Sequence, residues 1–197
     1  WMLDASGEAP LAEDHRARGI AANPRGPRPD LWMLCSSPGS AAFAGQMGVK
    51  LAFADFLNPG GARDALAAYH EAFEPSPFCA EPYAAIGLVV LAAETDAEAH
   101  RLAAPIRAWA LGRGTGQFRP YLDTAKAQAY LAEAPLEPPQ RGIVGTGDAV
   151  AAELVQTAQE ARASEVFLLS ITDRLETRID SYRRIEAAMQ RINAATA

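Results

Sequence analysis

Short, almost wholly apolar segments alternate with helical segments along this chain, and this order constrains the fold more than any other feature. The apolar segments are residues 31–35, 51–54, 83–92 and 165–171. Strands of this kind, each followed by a helix and without a hairpin signal, are typical of a parallel sheet covered by helices. The sequence therefore predicts an α/β fold, either a doubly wound sheet or a (β/α) barrel. Four such units are half of an eight-fold barrel, which typically needs about 250 residues.

The intervening segments carry helical patterns and start signals. Helices are predicted over residues 39–47, 62–73, 96–111, 124–134, 147–162 and 174–192. Thr95 and Glu98 stand at capping-box spacing, and Thr146 is placed as the N-cap of the helix that follows it. The glycine- and proline-rich stretch 112–142 contains only the patch 124–134.

The chain length favours a single domain over residues 1–197. Pro24, Gly26, Pro27 and Pro29 indicate that residues 1–30 form an irregular lead-in. Loops as long as 112–142 in compact domains are usually either functional lids or disordered, so a mobile lid is one possibility there. A solvated connection with a loosely docked helix is the alternative.

Charge and composition exclude several classes of protein. The 18 Lys+Arg and 24 Asp+Glu give a net charge of −6 without a basic cluster, so we expect no nucleic-acid partner. No apolar stretch approaches the roughly 20 residues of a membrane span, and no signal peptide is recognisable. Two cysteines are too few for a disulfide framework or a zinc cage, which favours a cytoplasmic location. The opening Trp1 indicates either a processed start or a piece of a longer protein.

A candidate phosphate site follows the first apolar segment. The strand ends in Ser36 and Ser37, turns through Pro-Gly, and enters a helix of small residues that includes Ser40. Backbone N–H groups at a helix start lack intrahelical partners, and the helix dipole favours an anion there. The three hydroxyls would add donors at the same point. Serines at such positions are also common helix caps, so both interpretations remain open on the residues alone.

The segment L-W-M-L-C-S-S-P-G-S-A-A-F-A-G-Q-M-G-V-K-L-A-F-A, residues 31–54, resembles the fifth strand, phosphate turn and sixth strand of the luciferase-like, flavin-dependent monooxygenases. The resemblance continues through E-D-H-R and N-P-R-G-P upstream. Downstream it includes F-L-N-P-G, E-P-Y, A-A-E-T-D-A-E-A-H-R-L-A, I-V-G-T-G-D-A-V and E-V-F-L-L-S-I-T-D. It covers essentially the whole chain and implies the C-terminal half of a (β/α)8 barrel.

The resemblance also implies site residues. Ser36, Ser37 and Ser40 would bind the phosphate of reduced FMN. Ala54 and Asp55 would lie near the flavin ring, and Phe56 is the nearest aromatic residue. The stretch 112–142 matches the family's long, mobile loop after the seventh strand, which can cover the active site, so the resemblance predicts a mobile lid there. Arg113 and Arg119 in the lid could approach the cofactor, whereas Arg101 and Arg107 are expected on a solvated helix face.

The catalytic residues stay unknown, because the histidine that the family uses belongs to the N-terminal half. His15, His70 and His100 show no metal-ligand spacing, and Cys35 and Cys79 are expected to be unreactive.

The function implied by the resemblance is monooxygenation of a small organic substrate with reduced FMN and molecular oxygen. A separate flavin reductase would supply the reduced FMN. A half-barrel has two unpaired edges, so a homodimer or a completing N-terminal segment is expected. Two alternatives remain: a non-catalytic flavin- or phosphate-binding half-barrel, and a deazaflavin-dependent oxidoreductase.

Overall fold

A computed structural model of the chain describes residues 12–16, 30–116, 120–137 and 141–196. The chain divides into two compact units, Trp1–Leu31 and Trp32–Ala197. In the first unit, the His15 N–H donates to the Ala12 carbonyl at 3.1 Å and closes a turn. Most of the predicted lead-in lies outside the described residues.

The second unit contains five strands and seven helices in the described ranges. The strands are β1 (Trp32–Cys35), β2 (Lys50–Ala54), β3 (Ala84–Ala93), β4 (Ile143–Thr146) and β5 (Glu165–Leu169). The helices are α1 (Pro38–Gln46), α2 (Ala62–Ala72), α3 (Asp96–Leu102), α4 (Ala104–Gly114), α5 (Thr124–Ala132), α6 (Gly147–Ala161) and α7 (Leu175–Thr196).

All strand pairs are parallel, and β3 is the centre of the sheet. β1 pairs with β2, and β2 pairs with β3 from Leu51↔Ala84 to Ala54↔Gly87. β5 pairs with β3 over nearly the same length, from Ala85↔Glu165 onward, so it lies on the opposite side. β4 pairs further along β3, beginning at Val90↔Ile143. The predicted α/β fold with a parallel sheet is confirmed.

The two faces of the sheet differ in their exposure. Leu51, Phe53 and Ile86 are fully buried on the face that the helices cover. Because side chains alternate along a strand, Leu34 and Phe167 project to the other face. They are 66% and 50% exposed. This open face, which we call the concave face, is where the interior of a closed barrel would be.

Two sequence predictions of local structure are wrong. The predicted helix 96–111 is two helices, α3 and α4, because Pro105 lacks the N–H needed to continue the ladder from α3 and instead occupies the first turn of α4. The count of four strands misses β4, a four-residue strand that contains Gly145. The helix starts were predicted correctly. Thr95 Oγ1 accepts from Glu98 N at 3.2 Å, and Thr146 Oγ1 accepts from Ala149 N at 3.3 Å.

Among the described residues, no helix is both long and apolar enough to cross a membrane. The same ranges contain no group of three or more His, Cys, Asp or Glu side chains placed to hold a metal ion.

Candidate functional site

The turn between β1 and α1 brings the three predicted serines together. Ser37 has extended backbone angles (φ −141°, ψ 154°) and caps α1, since its Oγ accepts from the Ser40 N–H at 3.3 Å. The Ser37 and Ser40 hydroxyls lie 2.8 Å apart, and Ser40 Oγ also donates to the Ser37 carbonyl at 3.1 Å. The Ser36 carbonyl accepts from Asn58 Nδ2 at 3.1 Å, which ties this turn to the loop after β2.

The start of α1 faces open space. A Cβ built on Gly39 would meet no atom within 4 Å, and the first turn of the helix contains no acidic residue. Pro38 has no N–H, so the Gly39 N–H is the first backbone donor that the helix offers. A small anion can therefore approach the helix start without a steric clash or a like charge in the first turn.

Cys35 is the last residue of β1 and directly precedes this turn. Its side chain is buried, and burial raises the pKa of the thiol. Hydrogen bonds from the Ser40 side chain and the Ser37 backbone oppose that shift without cancelling it. The reactive thiolate is thus disfavoured at neutral pH.

The end of β2 carries the other predicted cofactor residues, Ala54 and Asp55. Ala54 is fully buried. Asp55 Oδ1 accepts from the Gly60 N–H at 2.9 Å, and its carboxylate also accepts from the Ala62 backbone at the start of α2. Burial raises the pKa of Asp55 in spite of these bonds. Asp55 thus has a structural role in the β2–α2 loop, and its assignment to a cofactor stays a prediction.

Phe56 lies over Gly87 on the concave face. A Cβ built on Gly87 would come within 3.2 Å of Phe56 Cε1, so the absence of a side chain in β3 makes room for the ring. Nearby, Phe56, Val89, Trp109 and Leu169 line a mostly apolar cavity of about 80 Å³ with Arg141 and Asp55. The concave face therefore combines an aromatic ring with apolar walls next to a few polar groups.

The described part of the segment predicted to form a lid is hydrogen-bonded to the residues that follow β5. Tyr121 Oη donates to the Ile171 carbonyl at 3.1 Å, and burial raises the pKa of Tyr121. The N–H and Oγ1 of Thr124 both donate to Asp173 Oδ2, at 2.8 and 2.9 Å. A polar cavity of about 920 Å³ borders this attachment. Sequence reasoning missed Asp173, since its partner lies 49 residues away and no local pattern connects the two.

The arginines singled out in the sequence have different surroundings. Arg101 is exposed and paired with Glu98 at 2.6 Å, as expected of a solvated helix face. Arg113 lies over the Trp109 ring, 4.9 Å from its centroid. Arg107 was predicted on the same solvated face, and this is wrong: it is half-buried and its Nε is inaccessible. It belongs to α4, a separate helix in which Ile106 packs against Leu91 of β3. Arg119 lies outside the described residues.

Comparison with known proteins identifies the family. Residues 3–165 match the family model described as luciferase-like monooxygenase. The chain belongs to this family. The luciferase-like chain is 32% identical over 181 residues to the uncharacterised protein YceB of Bacillus subtilis, covering 89% of this chain and 55% of YceB. It spans about half the length of the relatives that it matches.

Two solved structures have folds similar to that of this luciferase-like chain. The crystal structure of apo-MsnO8 superposes with a TM-score of 0.82 at 30% identity, covering 96% of this chain and 57% of that one. The oxygenating constituent of 3,6-diketocamphane monooxygenase from Pseudomonas putida, solved with FMN, gives a TM-score of 0.51 at 19% identity over 80% of this chain and 47% of that one. The second likeness shows the fold alone. The resemblance to the family and the half-barrel fold are confirmed.

Proposed function

We propose that this chain forms the part of an FMN-dependent monooxygenase that binds the flavin phosphate at the β1–α1 turn. The observation that carries the proposal is the Ser37–Ser40 hydroxyl pair, 2.8 Å apart, at a helix start open to solvent. Neutral hydroxyls and free backbone N–H groups at a helix N-terminus suit a dianionic phosphate. Ser36 contributes by holding the turn against the β2–α2 loop through Asn58.

The concave face is the proposed location of the flavin ring. Phe56 lies there over Gly87, and Val89 and Leu169 add apolar surface that would exclude water from the ring. Ala54 and Asp55 end the strand next to it. Reduced FMN, when bound, supplies the chemistry that activates molecular oxygen for transfer to an organic substrate. The residues of this chain bind the phosphate, orient the ring and limit access of water.

The proposed partners follow from the family. A separate flavin reductase would deliver reduced FMN, and a small organic molecule would be the substrate. The exposed concave face requires a covering element, for which a second copy or an N-terminal half of the barrel is proposed. A deazaflavin-dependent oxidoreductase and a non-catalytic phosphate-binding half-barrel are the alternative functions.

Binding of FMN and riboflavin by the purified protein tests the phosphate assignment. Replacing Ser36, Ser37 and Ser40 together by alanine should raise the Kd for FMN about tenfold or more, because charge-assisted hydrogen bonds are lost. Gly39→Asp should do the same by placing a carboxylate at the helix start. Riboflavin, which has no phosphate, should bind all these variants equally.

Thr95→Ala provides a matched control, since it removes the cap of α3, far along the chain from the turn. It should leave FMN affinity unchanged. Undiminished FMN binding by both the triple variant and Gly39→Asp would contradict the phosphate assignment. Incorporation of ¹⁸O₂ into an organic product with FMN, NADH and a flavin reductase, compared with the same reaction without this protein, separates the monooxygenase from the deazaflavin enzyme and from a non-catalytic module.

A further inference from the structure

A second cavity, separate from the β1–α1 turn, is bordered by two arginines. It has a volume of about 210 Å³ and is lined by His100, Arg107, Arg141 and Val144. His100 belongs to α3, Arg107 to α4, and Val144 to β4, with Arg141 just before that strand. Two helices that are adjacent in sequence, α3 and α4, and the later segment that leads into β4 thus bring two guanidinium groups to one small cavity.

Both arginines have buried donors without partners. The Nε atoms of Arg107 and Arg141 are inaccessible to solvent and make no hydrogen bond within the described part of the chain. Neither side chain forms an ion pair with a described carboxylate, in contrast to Arg101, Arg184 and Arg191, which do. Buried polar groups are almost always hydrogen-bonded in proteins, so two such donors at one cavity call for an explanation.

The positive charges of Arg107 and Arg141 add to the free-energy cost of leaving their donors buried without a partner. A guanidinium group cannot lose its proton in a protein, so burial cannot neutralise it. Two like charges on one cavity repel each other, and none of the residues that line the cavity is acidic. Asp55 has an electrostatic interaction with Arg141, but its carboxylate accepts from the backbones of Gly60 and Ala62 and lines the neighbouring concave-face cavity. An anion inside the cavity would satisfy both donors and offset the repulsion.

We propose that Arg107 and Arg141 bind an oxyanion, the carboxylate or phosphate group of a small ligand, with His100 at the same cavity. The planar guanidinium fork matches both groups geometrically. The cavity volume of about 210 Å³ is sufficient for a carboxylate or phosphate group. Arg141 also lines the concave-face cavity, so the remainder of the ligand would extend toward that face. This site does not depend on FMN binding at Ser37.

Titration of the protein with sodium phosphate and, separately, sodium acetate at constant ionic strength tests the proposal. Calorimetry should detect saturable binding of at least one anion, and the anion that binds identifies the preferred group. Arg107→Gln and Arg141→Gln should each weaken that binding about tenfold or more. Arg101→Gln, which alters an exposed arginine already paired with Glu98, is the matched control and should bind normally.

Two further measurements make the outcome decisive. A variant with alanine at Ser37 and Ser40 should retain the arginine-dependent binding, which separates this site from the phosphate turn. If the arginine variants fail to fold, the ¹⁵N spectrum of the unaltered protein replaces them, and saturable shifts of two arginine Nε–H signals are expected. Absence of saturable binding of both anions, or full binding by folded Arg107→Gln and Arg141→Gln, would overturn the proposal.

Discussion

Trp32 in the first strand and Phe167 in the last strand meet edge-to-face, with ring centroids 6.2 Å apart and an interplanar angle of 65°. β2 and β3 lie between these strands, and three steps of about 4.8 Å would separate them by about 14 Å in a flat sheet. Side chains on one face of a flat sheet stand roughly perpendicular to it and parallel to one another, so the short distance between these rings indicates that the sheet curves toward them. Their contact is therefore direct evidence in the structure for the curvature of a half-barrel.

Phe167→Ala is expected to destabilise the protein by about 1 kcal/mol, the usual contribution of an aromatic pair, since half of the Phe167 side chain is exposed and little core burial is lost. The midpoint of urea unfolding measures this change. Leu175→Ala, at a comparably exposed apolar position in α7, should shift the midpoint by less. Equal shifts for the two variants would show that the Trp32 contact does not stabilise the curved sheet.

The attachment of Thr124 to Asp173 should depend on pH. The Thr124 backbone hydrogen bond holds the pKa of Asp173 below its ordinary value. A carboxyl group with a lowered folded-state pKa contributes stability that is fully present above its unfolded pKa of about 3.9 and is lost as the pH falls through the folded value. We expect the Thr124 amide to lose its protection from hydrogen exchange in that acidic range.

Asp173→Asn should remove most of this pH dependence, because an amide does not titrate. Asp123→Asn is the control: Asp123 caps the same helix through Lys126 N, and its loss should leave the response of Thr124 in place. A protection profile for Thr124 that is the same in the unaltered protein and in Asp173→Asn would refute the role of the Asp173 carboxylate.

The order of strands and helices could be predicted because it depends on local patterns. Short apolar runs locate β1, β2, β3 and β5, and a hydroxyl residue at the right spacing locates the starts of α3 and α6. The Ser37–Ser40 turn belongs to the same class, since its contacts join residues three apart. Each of these features is determined by a few neighbouring residues.

The remaining features depend on contacts between distant residues and could not be predicted. β4 has only four residues and is a strand because β3 extends far enough to pair with it. The burial of Arg107 follows from how α4 packs, whereas its sequence neighbours favour an exposed face. The Thr124–Asp173 contact joins the start of α5 to the loop before α7 through hydrogen bonds that leave no periodic pattern in the sequence.

Gly142, at the start of β4, should not tolerate a side chain. Its φ is +79°, and a Cβ there would come 2.3 Å from the Val89 carbonyl oxygen. Gly142→Ala therefore combines backbone strain with a clash against β3 and should cost more than about 2 kcal/mol of stability.

Gly60→Ala is the matched control for this prediction, because Gly60 has φ +80° but open space around it. It should cost only the conformational penalty of about 1 kcal/mol. Urea unfolding of both variants measures the difference. Equal losses would mean that the approach of Gly142 to Val89 is relaxed by movement of β4.

Alanine substitutions of Ser37 and of Thr146 should have similar effects on stability but different effects on FMN binding. Each residue caps a helix by accepting one backbone N–H, from Ser40 and Ala149 respectively, at 3.3 Å in both cases. Alanine at either position should therefore cost about 1 kcal/mol in urea unfolding. Only Ser37→Ala should also weaken FMN binding, because the first turn of α1 contains no acidic residue, whereas Asp148 in the first turn of α6 disfavours an anion there. If Thr146→Ala weakened FMN binding to the same degree, loss of stability rather than loss of a phosphate donor would explain both effects.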